Sequence, residues 1–191
     1  MKSFWANLFG YQAVWFAAVI GAGGGHWWPG VVAAALFAAL HLGLYPQSAQ
    51  QRSADLRLMA VAVGCGLLLD GALSLSGFAR YAAGAPALPV GGAPLWILSM
   101  WAAFALTLRH SMAPLLQRTW AALALGAIGG PLAYLGAGRG WSAIVFAEPQ
   151  WQPLAVLALG WGLAIPLLAW LALRWSRTAG ADPVPVTGSP S

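Results

Sequence analysis

Six long apolar runs set the pattern of this chain, separated by short stretches that hold the arginines and many of the prolines and glycines. The runs cover about residues 7–24, 27–44, 58–78, 95–112, 120–138 and 153–175. Each is near the roughly 20 residues that a helix needs to cross about 30 Å of hydrocarbon. The shorter runs can be met by bilayer thinning or by snorkelling of flanking groups. The pattern therefore predicts an all-α fold: a polytopic membrane protein, a bundle of six transmembrane helices forming one domain over 1–177. The remainder, 178–191, is rich in Pro, Gly, Ser and Ala and is predicted to be a disordered tail. A signal peptide is the rival reading of the first run, because Lys2 precedes apolar and small residues. Asn7 and Gln12 are unusual inside such a segment, and no soluble domain follows it.

The charges give the runs a direction. Lys2, Arg52, Arg57, Arg109, Arg118, Arg174 and Arg177 fall on one side of the alternating topology, and only Arg80 and Arg139 on the other. That bias places both termini of a multi-pass protein in the cytoplasm. Trp5, Trp27, Trp28, Trp96, Trp120, Trp141, Trp151 and Trp175 stand at run ends, where an indole prefers the interface. The segment 139–152, with Trp141, Phe146 and Trp151, is expected to lie on the outer interface.

Composition agrees with a bilayer. Charged residues make up 7% of the chain and hydrophobic ones 60%, whereas soluble domains carry roughly 25% charged residues. The net charge of +5 is spread singly between runs, with no basic face to follow a phosphate backbone, so nucleic acid is excluded as a partner. The single cysteine, Cys65, allows neither an internal disulfide nor a cysteine metal cage.

Two polar layers are the candidates for chemistry. Asp70 is the one acidic residue inside an apolar run, and a carboxylate in hydrocarbon costs about 2.5–3.5 kcal/mol on insertion scales. Gly66, Asp70 and Ser74 share a helix face in the third run, as do Gly126, Gly130, Tyr134 and Gly138 in the fifth. Asp70 and Tyr134 lie at similar depth, roughly 18–21 Å along their helices. Tyr134, Ser74 or Arg139 is therefore expected to partner Asp70, with His26 near the mouth of the site. A ligand site and a structural hydrogen bond both fit this layer. The second layer is near the cytoplasmic face: His41, Thr107, His110, Ser111 and Asn7. It could bind a headgroup, relay protons, hold a metal or consist of satisfied interfacial histidines. With two histidines, no helical His pair and no carboxylate expected beside them, no metal and no cofactor are assigned. Phosphate-binding and nucleophile-elbow motifs are absent.

Several stretches carry a likeness to a known family. They are Asn7-Leu8-Phe9-Gly10-Tyr11-Gln12, Leu67-Leu68-Leu69-Asp70-Gly71, Thr107-Leu108-Arg109-His110-Ser111 and Gly129-Gly130-Pro131-Leu132-Ala133-Tyr134. Together they resemble a group of small proteobacterial inner-membrane proteins known as domain of unknown function 2878, over most of the chain from about Phe4 to Trp175. Ala133 stands where that pattern has Ser. The resemblance implies a multi-span membrane protein and no established activity. It also implies an association with membrane lipid modification, with membrane lipids and another membrane or lipid-modifying protein as partners. The leading functional expectation is a non-catalytic membrane subunit or a lipid- or small-ligand-handling protein. The alternatives are an intramembrane enzyme acting on lipids, with His41 and His110 as acid/base residues, and a proton-coupled small-solute carrier using Asp70.

Overall fold

The structure, a computed structural model, describes residues 2–44, 47–113 and 117–179. Six helices carry the fold: α1 (Lys2–Gly23), α2 (Trp28–Leu44), α3 (Ala49–Leu75), α4 (Leu95–Leu108), α5 (Thr119–Trp141) and α6 (Trp151–Ala179). Of these, α3, α5 and α6 are long and apolar enough to cross a membrane, which marks the chain as a membrane protein by length and composition. The outer faces of these helices are apolar: Leu68, Leu159 and Leu163 all project outward, a surface that needs lipid rather than water against it.

The short fourth run has a different role from the others. Helix α4 is buried on nearly every side, including Trp96, Trp101, Phe104 and Leu106, as a helix apolar all round should be. It packs against α1, α2, α3 and α6, and α5 packs chiefly on α6. Its 14 residues span about 21 Å.

Several boundaries differ from the apolar pattern. Helix α3 begins at Ala49, not near residue 58, because Ser48 and Gln51 form a capping box: the Gln51 N–H donates to Ser48 Oγ and the Ser48 N–H to Gln51 Oε1. Helix α4 stops at Leu108 rather than running to 112, since the N–H groups of His110 and Met112 both turn back to the Thr107 carbonyl. Helix α6 continues through Ala179, two residues into the expected tail, and 180–191 lie outside the described residues.

The all-α expectation is also incomplete. Four short strands, β1 (Ala79–Tyr81), β2 (Ala87–Leu88), β3 (Ala93–Pro94) and β4 (Ile144–Phe146), cap the bundle. β1 pairs antiparallel with β4, with Arg80 opposite Val145 and Tyr81 opposite Ile144, and β2 pairs with β3. The stretch 144–146, inside the segment expected on the outer interface, is thus a paired strand. Alternation turns Arg80 and Val145 outward and buries Ala79 and Ile144. Tyr81 then points back toward the helices.

Helix α5 contains a π-turn at Leu125–Gly129, just before Pro131. Proline lacks an N–H and its ring collides with the carbonyl four residues back; a wider turn relieves both. Two of the close approaches that need glycine involve tryptophan rings. A side chain at Gly66 would run into the Trp101 indole, and one at Gly130 into Trp161. Gly64, in the same helix as Gly66, has open space around it. Gly66→Val should lower the thermal midpoint of the detergent-solubilised protein by the equivalent of about 1–3 kcal/mol of overpacking. Gly64→Ala should leave it unchanged or raise it. Circular dichroism melts of the two variants check this.

Candidate functional site

Helix α3 carries both candidate centres on one stripe. Its buried residues include Asp55, Leu58, Ala62, Gly66, Asp70 and Leu73, spaced by threes and fours as one helix face requires. Asp55 and Asp70 are separated by about 22 Å along the axis, so one lies at the histidine end of the bundle and the other toward the sheets.

Asp70 is fully buried. Its Oδ1 accepts from the Tyr134 hydroxyl at 2.6 Å and the Tyr81 hydroxyl at 2.8 Å. Its Oδ2 accepts from the Trp101 indole N–H at 2.7 Å. Three donors from α4, α5 and β1 thus converge on a carboxylate from α3. Gly66 makes this possible by letting the Trp101 ring lie against α3. Trp101 stacks in turn on Trp161 of α6, with ring centroids 3.9 Å apart.

The same rings wall a cavity of about 630 Å³ between α1, α4, α5 and α6. Trp101, Tyr134 and Trp161 form one side; Tyr11, Gln12 and Trp15 of α1 form another. Phe9 and Phe16 also line it and are 64% and 45% exposed on the flank of α1, so the cavity opens sideways.

At the histidine end, the Nε2 atoms of His41 and His110 are 3.0 Å apart. Asp55, 1% exposed, places Oδ2 at 3.7 Å from the first and 3.6 Å from the second. Its other oxygen pairs with Arg109 at 2.6 Å. Arg109 is itself held by the Gln51 carbonyl and by Ser176 Oγ. Asn7 lies behind His41, with Nδ2 at 3.3 Å from His41 Nδ1 and 3.2 Å from the Leu106 carbonyl, while its Oδ1 accepts from Ser111 at 2.7 Å. With Asn7 donating to Nδ1, the His41 proton sits on Nε2 and points at His110.

The predicted residues therefore separate. Asp70 and Tyr134 meet; Asn7, His41, His110 and Ser111 meet. Ser74 instead donates to the Gly91 carbonyl, and Arg139 is exposed beside a shallow cleft with Gln150 and Val145. Neither reaches Asp70: Ser74 is one position off the buried stripe, and Arg139 follows Tyr134 by more than a turn, on another face. His26 is exposed. Thr107 is buried but turns inward to the Phe104 carbonyl and Met112 Sδ.

The expectation that no carboxylate accompanies the histidines is wrong. Apolarity alone starts the third helix near residue 58 and leaves Asp55 outside it. Counting back from Asp70 in steps of four and three reaches it. Trp101 and Tyr81 were missed as well. Trp101 carried a signal, an indole donor in mid-run rather than at an interface, whereas Tyr81 depends on strand pairing.

A family model described as "Protein of unknown function (DUF2878)" matches residues 4–167. The chain belongs to that family. No curated protein and no solved structure matches it. The matched stretch includes both polar clusters, while Ser176, the residue steadying Arg109, lies beyond it.

Tyr134→Phe removes one charge-assisted hydrogen bond and should cost about 1.5–3 kcal/mol. Asp70→Asn should cost more, since its amide must turn an N–H₂ toward either the Trp101 N–H or the two tyrosine hydroxyls. Adding Trp101→Phe to Asp70→Asn should therefore cost less than the two single changes summed. Thermal melts of the four variants form the double-mutant cycle that reads this coupling.

Proposed function

We propose that this chain is a six-span protein of the bacterial cytoplasmic membrane, with both termini inside, that holds an apolar lipid-class molecule in its lateral cavity. The cavity carries the reading. Its volume falls within the roughly 300–1,000 Å³ usual for ligand sites, and its walls are aromatic and aliphatic, with few polar groups such as Gln12 to orient a guest. It opens between helices whose outer faces are apolar, the direction from which a lipid would enter.

Asp70 supports this reading in a structural capacity. Both oxygens are occupied, and two of its three donors, Trp101 and Tyr134, are themselves cavity walls. The carboxylate thus holds the binding surface in shape, which favours a binding protein over a carrier that cycles a proton through Asp70. Any chemistry on the guest would then belong to a partner protein of the lipid-modifying kind.

The span count is supported by the alternating arginine bias over six apolar runs, three of which form the long apolar helices. The shorter α4 is enclosed by other helices, where full bilayer length is not required of it, and the 17-residue α2, with Val32, Leu36 and Leu40 turned outward, is met by bilayer thinning.

Two measurements test the reading. Native mass spectrometry of the full chain released from detergent should show retained lipid on the wild type and a loss of at least about tenfold on Ala133→Trp, which fills the cavity. Equal lipid retention by a folded Ala133→Trp variant refutes the site. A reporter joined after Ser176 should be active only in the cytoplasm, and one inserted near Gly84 only outside; the reverse for either overturns the topology.

A further inference from the structure

The histidine end of the bundle has the geometry of a metal centre. His41 Nε2, His110 Nε2 and Asp55 Oδ2 come from α2, the turn after α4, and α3, residues with no local reason to converge. The sides of their triangle are 3.0, 3.6 and 3.7 Å. The point equidistant from its corners lies about 2.0 Å from each atom, matching Zn–N and Zn–O bonds of about 2.0–2.2 Å. We propose that His41, Asp55 and His110 bind one first-row divalent transition metal ion, with zinc as the reference probe.

Two further observations support the site. Asp55 Oδ2 and Gln47 Oε1 are buried oxygens with no hydrogen-bond partner among the described residues, and an orphaned buried acceptor normally finds a donor, a water or an ion. Gln47 reaches the same centre, its Nε2 lying 3.5 Å from His41 Nε2. A half-turn of its amide would offer the oxygen as a fourth ligand. The rest of the cluster is arranged as outer support. Arg109 holds the far oxygen of Asp55 and leaves Oδ2 to bind through one atom. Asn7 orients His41 from behind, as the outer partners of metal-bound histidines do.

Binding has a proton consequence. The cation takes the place of the proton between the two Nε2 atoms, and that proton moves to Nδ1 of His41 by exchange with solvent, so the neutral pair releases no net proton. His41 then carries its proton on Nδ1, and the Asn7 amide turns to present Oδ1 to it. Two nitrogens and one carboxylate oxygen are borderline to hard ligands suited to zinc, iron(II) or manganese rather than to the thiolate-seeking metals. This site is separate from the lipid cavity, and either can fail without the other.

The test uses the full chain in detergent, carrying a tag without histidine or cysteine, stripped with a chelator and retitrated. Zinc titrated against a chromophoric competitor should bind at one per chain. Cobalt(II) should give the intense visible absorption of a four-coordinate site. His110→Ala, at a position 31% exposed, and Asp55→Asn should each weaken zinc by about a hundredfold or more, since each removes a direct ligand. His26→Ala should change nothing. Should Asp55→Asn fail to fold, the cobalt spectrum of the wild type decides by itself. A folded wild type that takes up no stoichiometric zinc and gives only the weak spectrum of hydrated cobalt(II) means a hydrogen-bonded histidine pair only. Unchanged zinc affinity in folded His110→Ala likewise overturns the proposal.

Discussion

A carboxylate in the middle of an apolar bundle has to be matched, and here the match is spread over the fold. Asp70 receives hydroxyl donors from α5 and β1 and an indole donor from α4. Removing the carboxylate strands three buried donors; removing any one donor leaves part of a carboxylate unsolvated. That mutual dependence ties α3, α4, α5 and the strand cap into one arrangement. It also sets the position of Trp101, on which Trp161 stacks, and so defines one wall of the cavity.

The second polar centre is built on different logic. Asp55 has one oxygen balanced by Arg109 and another facing two imidazoles. A buried ion pair alone is weak grounds for stability, since desolvation consumes much of its Coulomb energy. The pair here rather orients a carboxylate, and its free oxygen is aimed at the histidines instead of at a further donor. The Asp70 centre is saturated and therefore suited to holding shape. The Asp55 centre keeps acceptor capacity and is therefore suited to taking a ligand.

Helix α3 links the two. Its buried face runs from Asp55 to Leu73 without interruption, with small residues Ala62 and Gly66 between the carboxylates. Small residues let neighbouring helices approach closely in a bilayer, and Trp101 uses that space at Gly66. The aromatic cavity lies beside this seam, between α1, α4, α5 and α6.

The sequence by itself determined the number and rough position of the helices, because apolar runs and their punctuation are local properties. It also determined that Asp70 needs a partner at its own depth, since helix rise converts residue counts into height, and Tyr134 could be found that way. The start of α3 was legible too, in Ser48 and Gln51, though apolarity hid it and with it Asp55. Tertiary structure alone decided the rest. Tyr81 reaches Asp70 because β1 pairs with β4, some 65 positions away in register, and antiparallel pairing leaves no periodic mark in strands of three residues. His41 and His110 share a depth in the sequence. Their separation of 3.0 Å depends on which faces α2 and α4 turn to each other, and that is set by packing against all the other helices at once.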